Sequence, residues 1–196
     1  MRLVIATKNK GKIREFKAIF DGTPWEVISA ADVGVDIDVV EDGATFEENA
    51  LKKAMEIMAA CGEVTVADDS GLCVDVLGGA PGIYSARYAG EHGSDADNNL
   101  KLLSVMEEQT NRAAHFYCAI AAAFPDGTSH TVSGRFDGVI GHEMRGEGGF
   151  GYDVLFELPE YDNMTSAEIS AELKNKISHR AKALQKLFEL LRGISI

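Results

Sequence analysis

The opening of the chain constrains its fold more than any other feature. Leu3-Val4-Ile5-Ala6 is an uncharged apolar run, Thr7-Lys8-Asn9-Lys10-Gly11 is polar, and Ile13, Phe16, Ile19 and Phe20 then recur at helical spacing within residues 12–20. A short apolar run followed by a 3.6-residue period reads as strand, loop, helix, the start of an α/β protein. A second strand is expected over residues 25–28, followed by an acidic loop over residues 36–43. Thr45 then caps a helix, with Glu48 three residues on as in a capping box and Phe46, Ala50, Ala54, Ile57, Met58 and Cys61 as its apolar stripe. Residues 64–67 read as a short buried strand ending at Asp68-Asp69-Ser70-Gly71, with extended structure resuming over 72–74 and a loop over 78–82. A helix over 95–106 precedes a hairpin of 115–124 with 129–140 around Pro125-Asp126-Gly127. A Gly-rich loop over 146–151 leads to a short strand at 154–156, and a helix over 178–191 buries Ala181, Leu184, Leu187, Phe188 and Leu191. Early alternation with a later hairpin predicts a mixed sheet, elongated by the hairpin, with helices packed on it.

A length of 196 residues, 45% of them hydrophobic, suits a single domain over residues 1–196, or two lobes on a shared sheet. The chain enters its first apolar run at once, with no basic leader or cleavage site, so no export signal is expected. Its least polar stretch, residues 113–124, carries His115 and is too short for a membrane helix, so a soluble protein is expected. Cys61, Cys73 and Cys118 form no Cys-x-x-Cys pair and fit a reduced cytoplasm, with Cys61 and Cys118 read as small buried hydrophobes. The net charge of −12 argues against a nucleic-acid partner, because displacing phosphate counterions needs a basic surface. A small polyanion would need local cations or a metal.

Four segments carry candidate chemistry. Thr7-Lys8-Asn9-Lys10-Gly11-Lys12 sits between a strand's carboxyl end and a helix N-terminus, where free N–H groups and the helix dipole favour an anion. It lacks the spacing of a Walker A loop, and a solvated lysine-rich turn is the competing reading. Asp68 and Asp69 lie side by side on a strand, so one faces a ligand while the other supports a neighbouring segment; a plain Asp-Asp-Ser-Gly turn is the alternative. Gly146-Glu147-Gly148-Gly149-Phe150-Gly151-Tyr152-Asp153 lets the backbone approach a flat ligand on which Phe150 or Tyr152 stacks, or is a Gly-rich hairpin with a buried Phe. Ser178 reads as an N-cap that puts His179 and Arg180 in a first helical turn, where positive charge opposes the dipole and suggests an anionic or oxygen-rich partner; a surface His-Arg pair is the alternative.

Taken in order, these segments resemble the inosine triphosphate pyrophosphatase family, also described as dITP/XTP pyrophosphatases. The matching motifs are Thr-x-Asn-x-Gly-Lys from Thr7, Thr-Phe-x-Glu-Asn from Thr45, Ala-Asp-Asp-Ser-Gly-Leu from Ala67, Gly-Gly-x-Pro-Gly-Ile-Tyr-Ser-Ala-Arg-Tyr from Gly78, Gly-Gly-Phe-Gly-Tyr-Asp from Gly148 and Ile-Ser-His-Arg from Ile177. The resemblance implies an elongated mixed sheet flanked by helices, two lobes with a central substrate cleft, a homodimer, and hydrolysis of the α–β phosphoanhydride of ITP, dITP or XTP. It makes Asp69 the general base and a Mg2+ ligand, Glu41 the second magnesium carboxylate, and Ser70 a substrate contact. The loop of Thr7, Lys8, Asn9, Lys10, Gly11 and Lys12 would meet the phosphates, helped by Lys53 and Lys174. Phe150 would stack on the base beside Gly151 and Tyr152, with Asp153, His179 and Arg180 around its edge, the last two selecting a 6-oxo purine. Asp42 and Glu47 stand close enough in sequence to replace Glu41. Val154 stands where the family usually has proline, and Lys8 where it often has glycine. A pyrophosphatase of the related Maf architecture and a non-catalytic nucleotide-binding module are the alternatives.

Overall fold

A computed structural model describes residues 1–193. Among them, β1 (Arg2–Ile5), α1 (Lys10–Phe20), β2 (Glu26–Ser29), α2 (Phe46–Cys61), β3 (Thr65–Val74) and α3 (Asp95–Val105) make the alternating first half. β4 (Ala113–Ala123), β5 (Ser129–Ile140), β6 (Phe156–Leu158), β7 (Met164–Thr165), α4 (Ala171–Ile177) and α5 (His179–Gly193) follow. The strands form one seven-stranded mixed sheet in the order β2-β1-β3-β4-β5-β6-β7. β1 runs parallel to both β2 and β3, whereas β5, β6 and β7 are antiparallel neighbours. The α/β mixed sheet expected from the sequence is what the chain forms.

The order around β1 matters for function. The chain leaves β1 through α1 to β2 on one side, then returns through α2 to β3 on the other. Such a switch point in a parallel sheet opens a crevice at the strands' carboxyl ends, where ligands of α/β proteins bind. Residues 6–9 leave β1 there. β3 pairs with β1 at Thr65 and Val66, so Asp68 and Asp69 lie just past the last paired residues.

Several local expectations are corrected. Asp68-Asp69-Ser70-Gly71 does not turn the chain but runs inside the ten-residue strand β3. Strand interiors disfavour aspartate; here both carboxylates have partners that compensate the burial, described below. The strand expected at 154–156 lies at Phe156–Leu158, because residues 151–154 form a 3-10 turn. α4 and β7 went unanticipated, each being too short for a periodic signal. Thr45 caps α2 by accepting from the Glu48 N–H at 3.1 Å, but the Glu48 carboxylate reaches the Ala44 N–H at 2.7 Å instead of that of Thr45. The predicted capping box is thus displaced by one residue.

The described chain separates into two compact units. The first comprises Met1–Asp69, Cys118–Gly134 and the chain from Arg180; the second comprises Ser70–Tyr117 and Arg135–His179. The first has a core of Leu3 and Ile5 from β1, Phe16 and Phe20 from α1, Ile120 from β4, and Leu184 and Leu187 from α5. The core of the second gathers Leu72, Leu102, Phe116, Phe136, Tyr152, Leu155 and Phe156. Cys61, Cys73 and Cys118 are free thiols; Cys118 is fully buried, and burial pushes its pKa well up, so it behaves as a small hydrophobe. No helix among the described residues is long and apolar enough to cross a membrane.

Candidate active site

In the first unit the site starts from α1. Asn9 is its N-cap, and its Oδ1 accepts from the N–H groups of Gly11 at 2.8 Å and Lys12 at 3.2 Å. Thr7 Oγ1 in turn accepts from the Asn9 N–H at 3.2 Å. The loop expected to present bare N–H groups to phosphate therefore uses two of its own side chains to satisfy three of them. Its cations differ in placement. Lys8 is exposed and meets Asp36 at 2.9 Å and Asp38 at 2.8 Å, contacts that raise its pKa. Lys12 is largely covered and reaches Asp68 Oδ2 at 3.1 Å. Lys10 is exposed, and Gly11 is half-buried in the first turn of α1.

Alternation along β3 sends Asp68 and Asp69 to opposite faces. Asp68 is completely buried and faces α1 and α5: besides Lys12 it meets Arg180 Nε at 3.1 Å. The other arm of Arg180 bonds Glu15 of α1. Two cations and two carboxylates thus form a neutral cluster of Lys12, Asp68, Arg180 and Glu15. Desolvation would raise the Asp68 pKa, but Lys12, Arg180 and Lys53 overcome it and hold the carboxyl far below its ordinary value of 3.8. Arg180 is driven the other way: the fields of Asp68 and Glu15 outweigh its own desolvation and keep it protonated. Partners of this kind explain how an arginine tolerates the first turn of α5, against the helix dipole.

Asp69 faces α2. Its Oδ2 accepts from Asn49 Nδ2 at 3.0 Å, and Asn49 Oδ1 accepts from the Gly43 N–H at 2.8 Å. A side chain on Gly43 would bring its Cβ to 2.7 Å from that oxygen, so only glycine permits this close approach. Burial pushes the Asp69 pKa up; Lys53 and the Asn49 hydrogen bond restrain the rise, and the charge of Glu41 adds to it. Lys53 Nζ binds Glu41 Oε1 at 2.7 Å and the Asp68 carbonyl at 2.9 Å. Asp42 pairs with Lys52 at 2.6 Å, whereas Glu41 is the neighbour whose charge acts on Asp69. Among the described residues no group of three or more His, Cys, Asp or Glu side chains stands ready to hold a metal. A pair of carboxylates is enough for magnesium, which keeps several waters and takes its remaining oxygens from phosphate, and Glu41 with Asp69 fits that donor set.

In the second unit the loop at 146–153 presents Phe150, half-buried, with Lys174 Nζ 5.0 Å from the ring centroid. Asp153 Oδ2 accepts from the Phe150 N–H at 2.8 Å and from Lys174 Nζ at 2.6 Å. Lys174, expected among the phosphate contacts, thus lies beneath the ring thought to take the base. Tyr152 is buried and its hydroxyl donates to the Ser85 carbonyl at 2.8 Å, so Phe150 is the ring left to stack. His179 is buried with its ring stacked on Phe116 at 4.8 Å. Ser178, in extended conformation, separates α4 from α5 and closes α4, its N–H donating to the Lys174 carbonyl. Ser70 lies half-buried on β3.

Asn49, Asp68 and Glu15 were not named as site residues from the sequence. Asn49 carried a signal, being a polar residue beside Ala50 at the head of the α2 stripe. Glu15 had none, since a glutamate in the first half of a helix is ordinary.

A model of the Ham1 family matches residues 3–190. The chain belongs to the Ham1 family. It is 50% identical to the dITP/XTP pyrophosphatase of Desulforamulus reducens, the alignment covering 100% of this chain and 98% of that one. It is 48% identical to the dITP/XTP pyrophosphatase of Bacillus subtilis, over 97% of this chain and 96% of the relative. Among solved structures, the Ham1 protein of Staphylococcus aureus superposes with a TM-score of 0.89 at 44% identity, covering 98% of this chain and 99% of that one. The HAM1 protein of Coxiella burnetii gives 0.90 at 35% identity, covering 99% and 100%. As a Ham1 protein the chain is similar to these along its length, not in isolated motifs.

Proposed function

We infer that this protein hydrolyses non-standard purine nucleoside triphosphates, ITP, dITP and XTP, to the monophosphate and pyrophosphate, clearing them from the nucleotide pool. The observation that carries the reading is the electrostatic division between neighbours on β3. Asp68 is buried against Lys12 and Arg180, each at 3.1 Å, which hold it ionised, whereas Asp69 faces the other way, aligned by Asn49 at 3.0 Å beside Lys53 and Glu41. Relatives at about half identity over the whole length are named dITP/XTP pyrophosphatases.

Phosphoryl-type substitution is chiefly positioning and charge neutralisation. Lys12 and Lys53 donate hydrogen bonds to the triphosphate, with the helix start at Thr7, Asn9 and Gly11 beside them and Lys8 and Lys10 as exposed cations. A water attacks the α-phosphorus; its oxygen forms the new bond, the bond to the oxygen bridging to the β-phosphorus breaks, and that electron pair leaves with pyrophosphate. The water's proton passes to Asp69, which Asn49 holds in place. Magnesium, held when bound by Glu41 and Asp69, supplies further neutralisation on the phosphate oxygens. Phe150 takes the base by stacking, Gly151, Asp153, Lys174 and Ser70 line the substrate, and His179 and Arg180 select the 6-oxo edge. A cytoplasmic homodimer acting on free nucleotides, not on nucleic acid, is the accompanying proposal.

The experiment is pyrophosphate release from ITP, XTP, GTP and ATP with and without magnesium. Release from ITP and XTP that needs magnesium and is weak with ATP supports the reading. Equal turnover of all four, or binding of ITP without release, overturns it.

A further inference from the structure

Gly151 follows the proposed stacking ring, and one helix takes both of its backbone groups. Its N–H donates to Asp95 Oδ2 at 2.8 Å, and its carbonyl accepts from Asn99 Nδ2 at 2.9 Å. Asp95 and Asn99 are four residues apart on α3, hence on one face. We propose that Asp95 and Asn99 are positioning residues for the nucleotide base, clamping the Gly151 peptide so that the Phe150 ring is held ready to stack; this rests on the reading of Phe150 given above.

The geometry of a peptide chain explains why this grip reaches the ring. The Gly151 N–H lies in the peptide plane that follows Phe150, so its bond to Asp95 fixes the Phe150 ψ angle. The Phe150 N–H lies in the preceding plane and is bonded to Asp153, which fixes φ. With both flanking planes held, the Cα–Cβ direction of Phe150 is set. Gly151 itself has φ of +61°, a left-handed conformation that glycine adopts easily but also leaves easily. The Asn99 bond to its carbonyl removes that freedom. Pre-ordering a stacking ring spares the entropy that binding would otherwise cost.

Asn99 shows a further sign of a purpose beyond packing. It is 3% exposed, and its Oδ1 has no hydrogen-bond partner among the described residues. A buried carbonyl oxygen without a partner is unfavourable, and an apolar residue would avoid it; the amide is needed for its donor. α3 is a firm base for the clamp. Ser94 and Asp97 close a capping box at its start, and Asn98 bonds both the Ala89 N–H at 2.7 Å and the Ala86 carbonyl at 3.2 Å.

Steady-state kinetics on intact protein test the proposal. Asn99→Asp keeps the shape but turns an acceptor toward the Gly151 carbonyl. It should raise KM for ITP roughly tenfold while kcat stays within about twofold. Inhibition by inorganic triphosphate, which has no base, should be unchanged. Asp95→Ala should raise KM in the same way, and Asp95→Asn, which retains an acceptor, should recover most of the loss. In a Phe150→Ala background Asn99→Asp should add nothing, because the ring through which it acts is gone. A wild-type KM for Asn99→Asp, alongside a raised KM for Phe150→Ala, overturns the clamp and leaves stacking intact. A wild-type KM for Phe150→Ala overturns stacking and the clamp together. Equal weakening toward ITP and inorganic triphosphate, with a lowered Tm, reduces the pair to a structural role and also overturns the proposal.

Discussion

Asp68 and Asp69 share a strand and a chemistry, yet their surroundings push them in opposite directions, and the two should respond oppositely to the same substitution. Asp68→Asn leaves Arg180 and Lys12 facing Glu15 without their second anion. Breaking a buried pair in this way costs about 3–5 kcal/mol, which equilibrium denaturation would detect. The sign with pH follows from the depressed folded-state value: the contribution of Asp68 is complete above its ordinary value of 3.8 and is lost as pH falls through the lower folded value. The stability gap between wild type and Asp68→Asn should therefore stay flat from pH 7 to about 4.5 and narrow only below that. Asp69 is the reverse case. Its folded pKa is raised, so ionising it weakens the fold as pH rises, and Asp69→Asn should melt at the wild-type temperature or above at pH 7 while losing turnover. A destabilised Asp69→Asn would make Asp69 structural. Arg180 carries a double expectation: Arg180→Ala should lower stability, because Asp68 and Glu15 lose their shared cation, and should lower kcat/KM for ITP more than for ATP. An equal loss on both substrates would confine Arg180 to the charge cluster.

At the scale of elements, α1 links a cap to a site. Asn9 Oδ1 satisfies two N–H groups, so Asn9→Ala should lower stability by about 1 kcal/mol and raise KM for ITP by loosening the turn that carries Lys12. Thermal melts and kinetics on one preparation check both; a lowered Tm with unchanged KM would make Asn9 a cap alone. The same element shows why much of the fold was legible. Leu3 to Phe20 switches from a run to a 3.6-residue period, and physical patterns of that kind survive any tertiary context. At β3 turn chemistry and strand chemistry conflict over Asp-Asp-Ser-Gly, and the deciding partners, Lys12, Arg180 and Asn49, come from helices 20 to 112 residues away in sequence. α4 and β7 are too short to show a period. Of the residues proposed for the site, Asp69, Lys12, Lys53 and Phe150 are named from motif and position. The pairing of Arg180 with Glu15 was not, because an ion pair across 165 residues leaves no local trace.

For the whole molecule, a net charge of −12 must admit a polyanionic substrate, and because Lys12 and Lys53 already face Asp68 and Glu41, the proposed mechanism relies on magnesium for the positive charge that draws the phosphates in. Each unit supplies its own core and its own share of named residues, the first with Asp69, Glu41, Lys12 and Lys53, the second with Phe150, Asp153 and Lys174. The central claim concerns which bond the reacting water breaks. Hydrolysis of ITP with magnesium in 18O-enriched water, followed by mass analysis of both products, reads this directly. Attack on the α-phosphorus predicts one 18O in the monophosphate and none in the released pyrophosphate. Label in the pyrophosphate, or release of orthophosphate in its place, would contradict the account.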